Sequence, residues 1–270
     1  MSIDADFPSR WFDLEELLAS TFCRSIRFQR ECTSTNDLAL NEQDGQEWPL
    51  PRLLTTDAQT AGRGRGSNQW WAGEGALAFS LRIAPGDFNV SREQWPLVSL
   101  TTALAVGEVL AEFAADRQVG LKWPNDVQLD GRKICGILVE PPPGTTAELV
   151  IGVGINVLNS LADAPEELRS IATSLVDETD EDVECSPGGV LLRVLQCLEF
   201  ELRRLATGSL DLTGRWQTRC VLTGHRVSLE AGGQRVEGVC RGVDVTGAIL
   251  LEADGEVRPW FGGIVRRVEI

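Results

Sequence analysis

The sequence of 270 residues predicts a mixed α/β protein whose sheet is mainly antiparallel, followed by a small strand-rich region at the C-terminal end. Helix-like and strand-like segments alternate up to about residue 220. Short connections such as Asp130-Gly131 favour hairpins between neighbouring strands. From Thr223 onward, short strands recur between Gly-containing turns, as in a small β-barrel. We therefore expect a large domain over residues 1–220 and a small β-barrel over residues 221–270.

Four helices are predicted from capping signals and apolar spacing. One lies near residues 12–18, and a second follows the cluster Thr33-Ser34-Thr35-Asn36-Asp37, since hydroxyl and Asn side chains favour a helix N-terminus. The capping box Ser91-Arg92-Glu93-Gln94 predicts a third helix running to about Arg117. Ser186-Pro187 predicts a fourth, running to about residue 205 and ending near Gly208.

Strands are predicted wherever apolar residues alternate or run between turn signals. In the large domain these strands cover residues 52–56, 76–83, 119–123, 127–129, 134–139 and 149–157. In the C-terminal region they cover residues 226–229, 236–243, 248–251 and 264–268. The segment 177–184 carries six acidic residues in eight, and we interpret it as a solvated surface loop.

Composition excludes several classes of protein. The net charge of -15 disfavours nucleic acids and anionic membranes as partners. The seven cysteines include no C-x-x-C pair, which indicates reduced thiols in the cytoplasm rather than a disulfide framework. There is no signal-peptide pattern and no apolar stretch long enough to span a membrane. The single histidine, His225, excludes His-based zinc sites and, without G-x-S-x-G, argues against a catalytic triad.

Any catalysis must therefore use arginine, lysine, carboxylates and backbone amides. The strongest candidate is Gly62-Arg63-Gly64-Arg65-Gly66, which follows Gln59-Thr60-Ala61. Glycine allows backbone amides to approach an anion closely, and arginine grips carboxylate and phosphate through paired N–H donors. Taken alone, the pattern is also compatible with an RNA-binding loop or an ordinary basic turn.

Two further motifs accompany this loop. Lys122-Trp123-Pro124-Asn125-Asp126, followed by Arg132-Lys133, can place a cation and a carboxylate over one site, although a hairpin with an exposed lysine explains the spacing equally well. Gly152-Val153-Gly154-Ile155-Asn156 suggests a strand approached closely by a ligand or another backbone. An ordinary core strand is the alternative.

The ordered set of motifs resembles the biotin–protein ligase family. It also includes Ser34-Thr35-Asn36, Trp70, the strand 136–140, and Arg258-Pro259-Trp260-Phe261-Gly262-Gly263 near the C-terminal end, so the resemblance covers about residues 33–270. It implies a fold similar to class II aminoacyl-tRNA synthetases, with a mixed, mainly antiparallel sheet and a small SH3-like barrel. It also implies ATP and Mg²⁺ as cofactors and a cytoplasmic enzyme.

The reaction implied by the resemblance has two steps. Biotin is activated with MgATP to biotinyl-5′-AMP and pyrophosphate. Biotin is then transferred to a lysine of the biotin carboxyl carrier protein of a carboxylase such as acetyl-CoA carboxylase. Because the carboxylate and the phosphate repel each other, such a site needs fixed cations.

The resemblance also implies roles for individual residues. Catalysis would fall to Arg63, Arg65, Lys133 and Asp126. Biotin would be bound by Ser34, Thr35, Asn36, Gln59, Arg63, Gly64, Arg65, Lys133 and Gly136. ATP or the adenylate would be bound by Arg63, Arg65, Trp70, Asn125, Lys133 and Asn156, with Asp126 as a candidate ligand of Mg²⁺.

The sequence departs from the family pattern in two places. Gly66-Ser67-Asn68-Gln69 replaces residues that are commonly basic, so we expect less charge in this loop and leave open whether the protein is a monomer or a homodimer. The 32 residues before Thr33 are too few for a DNA-binding winged helix, and an enzyme without repressor function is expected. The alternatives are a lipoate or octanoate transfer enzyme of similar fold, a biotin-sensing binding protein and an RNA-binding module.

Overall fold

The computed structural model describes residues 1–42, 48–180 and 185–268. Ten strands precede residue 156: β1 (Ser2–Ala5), β2 (Ser25–Cys32), β3 (Arg52–Gln59), β4 (Gly62–Arg63), β5 (Gln69–Trp70), β6 (Leu77–Ile83), β7 (Val119–Lys122), β8 (Asp126–Leu129), β9 (Arg132–Glu140) and β10 (Leu149–Ile155). Eight of them form one sheet in the order β1-β2-β3-β6-β10-β9-β8-β7, and β4 pairs with β5 in a separate hairpin.

The large sheet is mixed, as predicted. The strands β1, β2 and β3 pair in parallel, and every other pairing in this sheet is antiparallel. The helices are α1 (Leu14–Ser20), α2 (Thr35–Leu40), α3 (Leu97–Phe113), α4 (Glu166–Arg169), α5 (Leu175–Glu178), α6 (Pro187–Thr207) and α7 (Leu212–Arg219). Short 3-10 turns cover Pro85–Phe88, Arg92–Gln94 and Leu161–Asp163.

The core lies where α3 and α6 pack together beside the large sheet. In α6, buried Leu191, Val194, Leu198, Leu202 and Leu205 recur every three or four residues, which places them on one helical face. Ser186 caps this helix through the Gly189 N–H, and Gly208 ends it in the left-handed conformation at φ 69°. The start and end predicted for this helix are confirmed.

The third predicted helix differs from the structure at both ends. The capping box at Ser91 is present, but it opens a 3-10 turn, and α3 begins at Leu97. The reason is Pro96, which has no N–H to donate to the Arg92 carbonyl and so interrupts the α-helical ladder. The helix ends at Phe113 rather than near Arg117, whose guanidinium instead donates to the Glu178 carbonyl at 2.8 Å.

The prediction that the acidic segment 177–184 is a solvated loop is wrong where the structure describes this segment, over residues 177–180. Asp177 and Glu178 belong to α5, and Glu178 is buried. The Glu178 carboxylate accepts a hydrogen bond from Thr173 Oγ1 at 2.6 Å and forms an ion pair with Arg132. Residues 181–184 lie outside the described residues.

The C-terminal region forms a five-stranded antiparallel sheet in the order β14-β13-β12-β11-β15. Its strands are β11 (Arg226–Ala231), β12 (Gln234–Val243), β13 (Ile249–Ala253), β14 (Glu256–Trp260) and β15 (Ile264–Arg267). The four predicted strands are confirmed, and β14 is an addition, as are β1, β2 and α7 earlier in the chain. Among the described residues, no helix combines the length and the apolar character needed to cross a bilayer.

Candidate active site

A cavity of about 310 Å³ lies over β9 and β10 beside the β4–β5 hairpin, and it gathers the predicted residues from five separate stretches of the chain. The N-terminus of α2, the end of β3, the hairpin, the β7–β9 region and β10 all contribute to its lining. Every residue proposed above for catalysis, biotin or ATP lies in this lining: Ser34, Thr35, Asn36, Gln59, Arg63, Gly64, Arg65, Trp70, Asn125, Asp126, Lys133, Gly136 and Asn156.

Three glycines form the floor of the cavity. A Cβ on Gly152 would lie 1.9 Å from Asn36 Oδ1, and one on Gly154 would lie 2.5 Å from Trp70 Cε2. A Cβ on Gly136, which pairs with Gly154 across the β9–β10 ladder, would lie 3.2 Å from Trp70 Cζ3. Asn36 and Trp70 therefore occupy space that any other residue at positions 152 or 154 would fill. The structure favours close approach over an ordinary core strand for this motif.

The N-terminus of α2 forms one polar wall. Ser34 caps the helix, and the Thr35 N–H donates to Gln59 Oε1 at 2.9 Å. Asn36 is buried; its Oδ1 accepts from Ser80 Oγ at 2.6 Å, and its Nδ2 donates to a Glu140 oxygen at 3.1 Å. These mutual hydrogen bonds fix the orientation of each group and leave a wall of preorganised donors and acceptors.

Arg63 lies at the mouth of the cavity and is bound by two carboxylates. Its guanidinium donates to Asp37 Oδ1 at 2.9 Å and to both oxygens of Glu140, at 2.8 and 3.1 Å. The Glu140 hydrogen bond is the main reason why the pKa of Arg63 is raised above its ordinary value. Arg63 thus ties the hairpin to α2 and to the end of β9, and its charge is compensated locally.

Lys133 and Asp126 form the second charged pair. The Lys133 Nζ lies 2.6 Å from Asp126 Oδ1 and 5.8 Å from the centroid of the Trp70 ring. The Lys133 backbone is held by the Ile171 carbonyl at 2.8 Å and by the Thr173 N–H at 2.9 Å. The Lys133 side chain remains 36% exposed, so its ammonium is accessible from the cavity.

Asn125 and Asn156 line the cavity, but their amide groups also hold the backbone. Asn125 Nδ2 donates to the Ile137 carbonyl at 2.7 Å. Asn156 Nδ2 donates to the Thr173 carbonyl at 2.9 Å, and its Oδ1 accepts from Asn159 at 2.9 Å. Both residues therefore shape the cavity by fixing the segments beside it.

Arg65 extends from the hairpin to the C-terminal sheet, where its Nη1 donates to the Gly263 carbonyl at 3.2 Å. Within the loop, the Gly64 N–H donates to the Asn68 carbonyl at 2.8 Å, and the Asn68 N–H donates to the Arg65 carbonyl at 3.2 Å. The loop of residues 62–70 is therefore an internally bonded hairpin with a contact to residues about 200 positions later in the chain.

The indole N–H of Trp70 is a buried donor with no acceptor within the described part of the chain. A buried unpaired donor costs about 1–3 kcal/mol. The donor lies over Gly154 and beside Lys133, where the floor of the cavity meets its cationic side. An acceptor atom of a bound ligand would relieve this cost.

Sequence reasoning missed two groups of residues. The apolar wall formed by Leu161, Leu168, Ile171 and Ala172 carries no motif, and its apolar residues do not alternate regularly. Asp37 and Glu140 lay inside quoted motifs, but nothing in the sequence linked them to Arg63, which is 26 and 77 residues away. His225 is exposed and lies outside this cavity.

The comparisons agree with this geometry. Residues 27–156 match the model of the biotin/lipoate A/B protein ligase family. The chain is 34% identical over 273 residues to the bifunctional ligase/repressor BirA of Escherichia coli, covering 95% of this chain and 78% of that protein. It is 34% identical over 206 residues to a biotin--[acetyl-CoA-carboxylase] ligase of Mycobacterium tuberculosis, covering 75% of this chain and 74% of that one.

A solved structure shows the same fold. The biotin protein ligase of Aquifex aeolicus, in complex with biotin and ATP, superposes with a TM-score of 0.75 at 26% identity and covers 91% of this chain and all of that one. The chain therefore belongs to the biotin/lipoate A/B protein ligase family. The names of the Mycobacterium tuberculosis and Aquifex aeolicus relatives specify biotin.

Proposed function

We infer that this protein is a biotin–protein ligase, which converts biotin and MgATP to biotinyl-5′-AMP and pyrophosphate and then transfers biotin to a lysine of a carrier domain. The observation that carries this inference is the single cavity that gathers thirteen residues from distant motifs. The neutral wall of hydrogen-bonding groups lies against Gly152, and Lys133 lies farther along the floor, against Gly136, which pairs with Gly154. This division suits a ligand with a polar ring at one end and a carboxylate at the other.

The cations suit the first step. Two unit negative charges 4 Å apart repel each other by about 1 kcal/mol in water but by about 4 kcal/mol at an effective dielectric of 20. Lys133 and Arg65 would offset this repulsion while the biotin carboxylate attacks the α-phosphate. Arg63 would act beside them, with its position set by Glu140 and Asp37.

The neutral wall suits biotin. Ser34, Thr35, Asn36 and Gln59 would hydrogen-bond its ureido ring, and the backbone at Gly64 and Gly136 would pack against its body. Trp70 would lie beside the adenylate, where its unpaired N–H could find an acceptor. Asn125 and Asn156 would support the nucleotide side through the backbone segments that they hold.

Asp126 is our candidate ligand for the Mg²⁺ that accompanies ATP. A carboxylate is the oxygen ligand that this ion favours. One Asp126 oxygen, Oδ1, is engaged by Lys133 at 2.6 Å. Mg²⁺ would therefore be bound by the other carboxylate oxygen, or by Oδ1 once the ion pair with Lys133 has opened. When Mg²⁺ is bound, it would neutralise phosphate charge. In the second step, Asp126 would help to orient the incoming lysine amine.

Several finer points are part of the same proposal. We propose residues 1–220 as the catalytic domain and 221–270 as an SH3-like barrel. The acceptor is proposed to be the biotin carboxyl carrier protein of acetyl-CoA carboxylase, as the name of the Mycobacterium tuberculosis relative suggests. A cytoplasmic location is supported by the seven free cysteines.

The test is to incubate the protein with biotin, MgATP and a carrier domain and to measure pyrophosphate release and the mass of the carrier. We expect pyrophosphate release from biotin and MgATP even without the carrier, and one added biotinyl group on the carrier when it is present. A parallel titration with lipoate by calorimetry should show no comparable binding. Lipoate binding without biotin binding, or biotin binding without pyrophosphate, would overturn the proposal.

A further inference from the structure

The short helix α2 has no basic residue in its last turn, although Asp37 lies in its first turn. The carbonyl groups at a helix C-terminus carry partial negative charge, so a cation placed beside them is stabilising. The position of α2 also matters for the ligase cavity, because Thr35 and Asn36 at its N-terminal end belong to the neutral wall. Whatever holds the C-terminal end of α2 therefore helps to set the geometry of that wall.

Arg82 of β6 supplies this cation from the sheet on which α2 packs. Its Nη1 donates to the Ala39 carbonyl, in the last turn of α2, at 3.3 Å. Its Nε donates to Glu148 Oε2, just before β10, at 2.6 Å. Its Nη1 also lies 3.7 Å from Glu42 Oε2, two residues beyond α2. The Arg82 side chain is 19% exposed, so these contacts are largely shielded from water.

Arg82 and Ser80 hold the two ends of α2 from the same strand. They are two residues apart on β6, so their side chains project from the same face of the sheet. Ser80 Oγ donates to Asn36 Oδ1 at 2.6 Å at the N-terminal end, while Arg82 binds the C-terminal end. Because α2 has only six residues, a shift at its C-terminal end also moves Asn36, which lies directly against Gly152 on the cavity floor.

Two other arginines belong to the same cluster and bind the segment beyond the helix. Arg27 Nη1 lies 3.3 Å from Glu42 Oε1, and Arg52 Nη2 lies 2.8 Å from the same oxygen. Glu42 therefore keeps two cationic partners when Arg82 is replaced. An Arg82 variant would lose its contact to α2 without leaving Glu42 as an unpaired buried charge.

We propose that Arg82 is a positioning residue for biotin recognition: it holds α2 in the place where Asn36 meets the polar ring of the ligand. This inference rests on the proposed function and adds a residue that is absent from the described lining of the cavity. The nucleotide side is built differently, since Lys133 and Asn156 are held by hydrogen bonds to residues 171–173. Loss of Arg82 should therefore weaken biotin binding and leave ATP binding nearly unchanged.

The first test measures biotin and ATP binding by calorimetry on the full chain and on Arg82→Gln. Loss of a charged donor should raise the biotin Kd about tenfold, while the ATP Kd stays within about twofold. Arg82→Lys keeps a cation near the Ala39 carbonyl and should recover part of the biotin affinity. Glu148→Gln weakens one anchor of Arg82 and should raise the biotin Kd by a smaller factor, so it serves as the test if Arg82→Gln does not fold.

Arg215→Met is the control for a general loss of stability. Arg215 forms ion pairs with Glu108 and Glu201, in a cluster of α3, α6 and α7. Its replacement should lower the free energy of unfolding and leave the biotin Kd unchanged, because the cluster does not include α2.

The second test separates positioning from general damage by steady-state pyrophosphate release in the presence of the carrier domain. Removing an interaction that acts equally on bound biotin and on the transition state raises KM without changing kcat. Arg82→Gln should therefore raise the KM for biotin about tenfold and leave the KM for ATP and kcat within about twofold.

Three outcomes would overturn the inference alone: equal rises in the two KM values, an unchanged biotin Kd in Arg82→Gln, or a biotin Kd for Arg82→Lys no lower than that for Arg82→Gln. Failure of the unmodified chain to bind biotin would instead overturn the proposed function together with this inference.

Discussion

At the scale of single residues, the site depends on two cationic side chains whose charges are compensated and on glycines that lack side chains. Lys133 faces Asp126, Arg63 faces Asp37 and Glu140, and the glycines of β9 and β10 leave room for Trp70. The sequence could predict the types and order of these residues. It could not predict that the charge of Arg63 is compensated, because both partners come from other elements and their contact depends on the fold.

Replacing Lys133 with Ala should lower adenylate formation by at least about a hundredfold, the usual cost of losing one preorganised donor to a developing charge. Pyrophosphate release under saturating biotin and ATP measures this loss. Lys122, the only other lysine in the chain, does not line the ligase cavity, so Lys122→Ala is the matched control. Adenylate formation near the normal rate in Lys133→Ala would remove this residue from the catalytic set.

Adding a methyl group at Gly154 should displace Trp70, because the new Cβ would lie 2.5 Å from Trp70 Cε2. Overpacking of this kind costs about 1–3 kcal/mol. Here the displaced side chain is Trp70, which lines the ligand cavity. We expect Gly154→Ala to weaken ATP binding about tenfold or more in calorimetry while the chain stays folded. Gly86→Ala, where a Cβ meets nothing within 4 Å, should bind ATP normally.

At the scale of elements, the sequence predicts the helices and strands that bury one apolar face, and it does not predict those that lack such a face. The sequence predicts both the apolar face and the caps of α6. By contrast, β14 is exposed at four of its five residues and contains Pro259, and β2 loses its alternation in Arg30-Glu31, so neither shows a clear pattern. The strand pairing that stabilises such segments is supplied by neighbours distant in sequence.

An ion-pair cluster joins three helices. Arg215 of α7 donates to buried Glu201 of α6 at 2.7 Å and also forms an ion pair with Glu108 of α3. Arg215→Met should reduce the free energy of unfolding by about 3 kcal/mol, since a buried carboxylate loses its main partner. Urea unfolding measures this change.

The control for this prediction is an exposed ion pair within α6, the helix that carries Glu201. Arg203 pairs with Glu199 at 2.8 Å, but the Arg203 side chain is 60% exposed. Arg203→Met should therefore change the free energy of unfolding by about 0.5 kcal/mol or less. If both variants unfold at the same urea concentration, the helix cluster contributes no more than a surface pair.

At the scale of the whole molecule, the C-terminal sheet reaches the ligase site through two hydrogen bonds. Arg65 donates to the Gly263 carbonyl at 3.2 Å, and the buried indole of Trp123 donates to the Gly247 carbonyl at 3.0 Å. Trp123 directly precedes the segment that carries Asn125 and Asp126. The sheet therefore supports both the arginine loop and the Asp126 side of the cavity.

Trp123→Phe removes one of these links and should lower the free energy of unfolding by about 1–3 kcal/mol beyond the loss of packing. It should also weaken ATP binding, because Asp126 loses its support. Trp216 is fully buried, and its indole N–H has no acceptor in the described chain, so Trp216→Phe reproduces the loss of packing alone. Equal effects of the two variants on ATP affinity would contradict the link.

The presence of only two lysines has a consequence for the chemistry of the proposed reaction. Biotinyl-5′-AMP is an acylating reagent, and any molecule that escapes the cavity reacts with the nearest free amine. The chain places arginine at almost every cationic position, and a protonated guanidinium is a poor nucleophile. Lys133 is engaged by Asp126, which leaves Lys122 as the main side-chain target. We therefore expect little acylation of the protein by its own intermediate, and a catalytic lifetime that tolerates some escape of the adenylate.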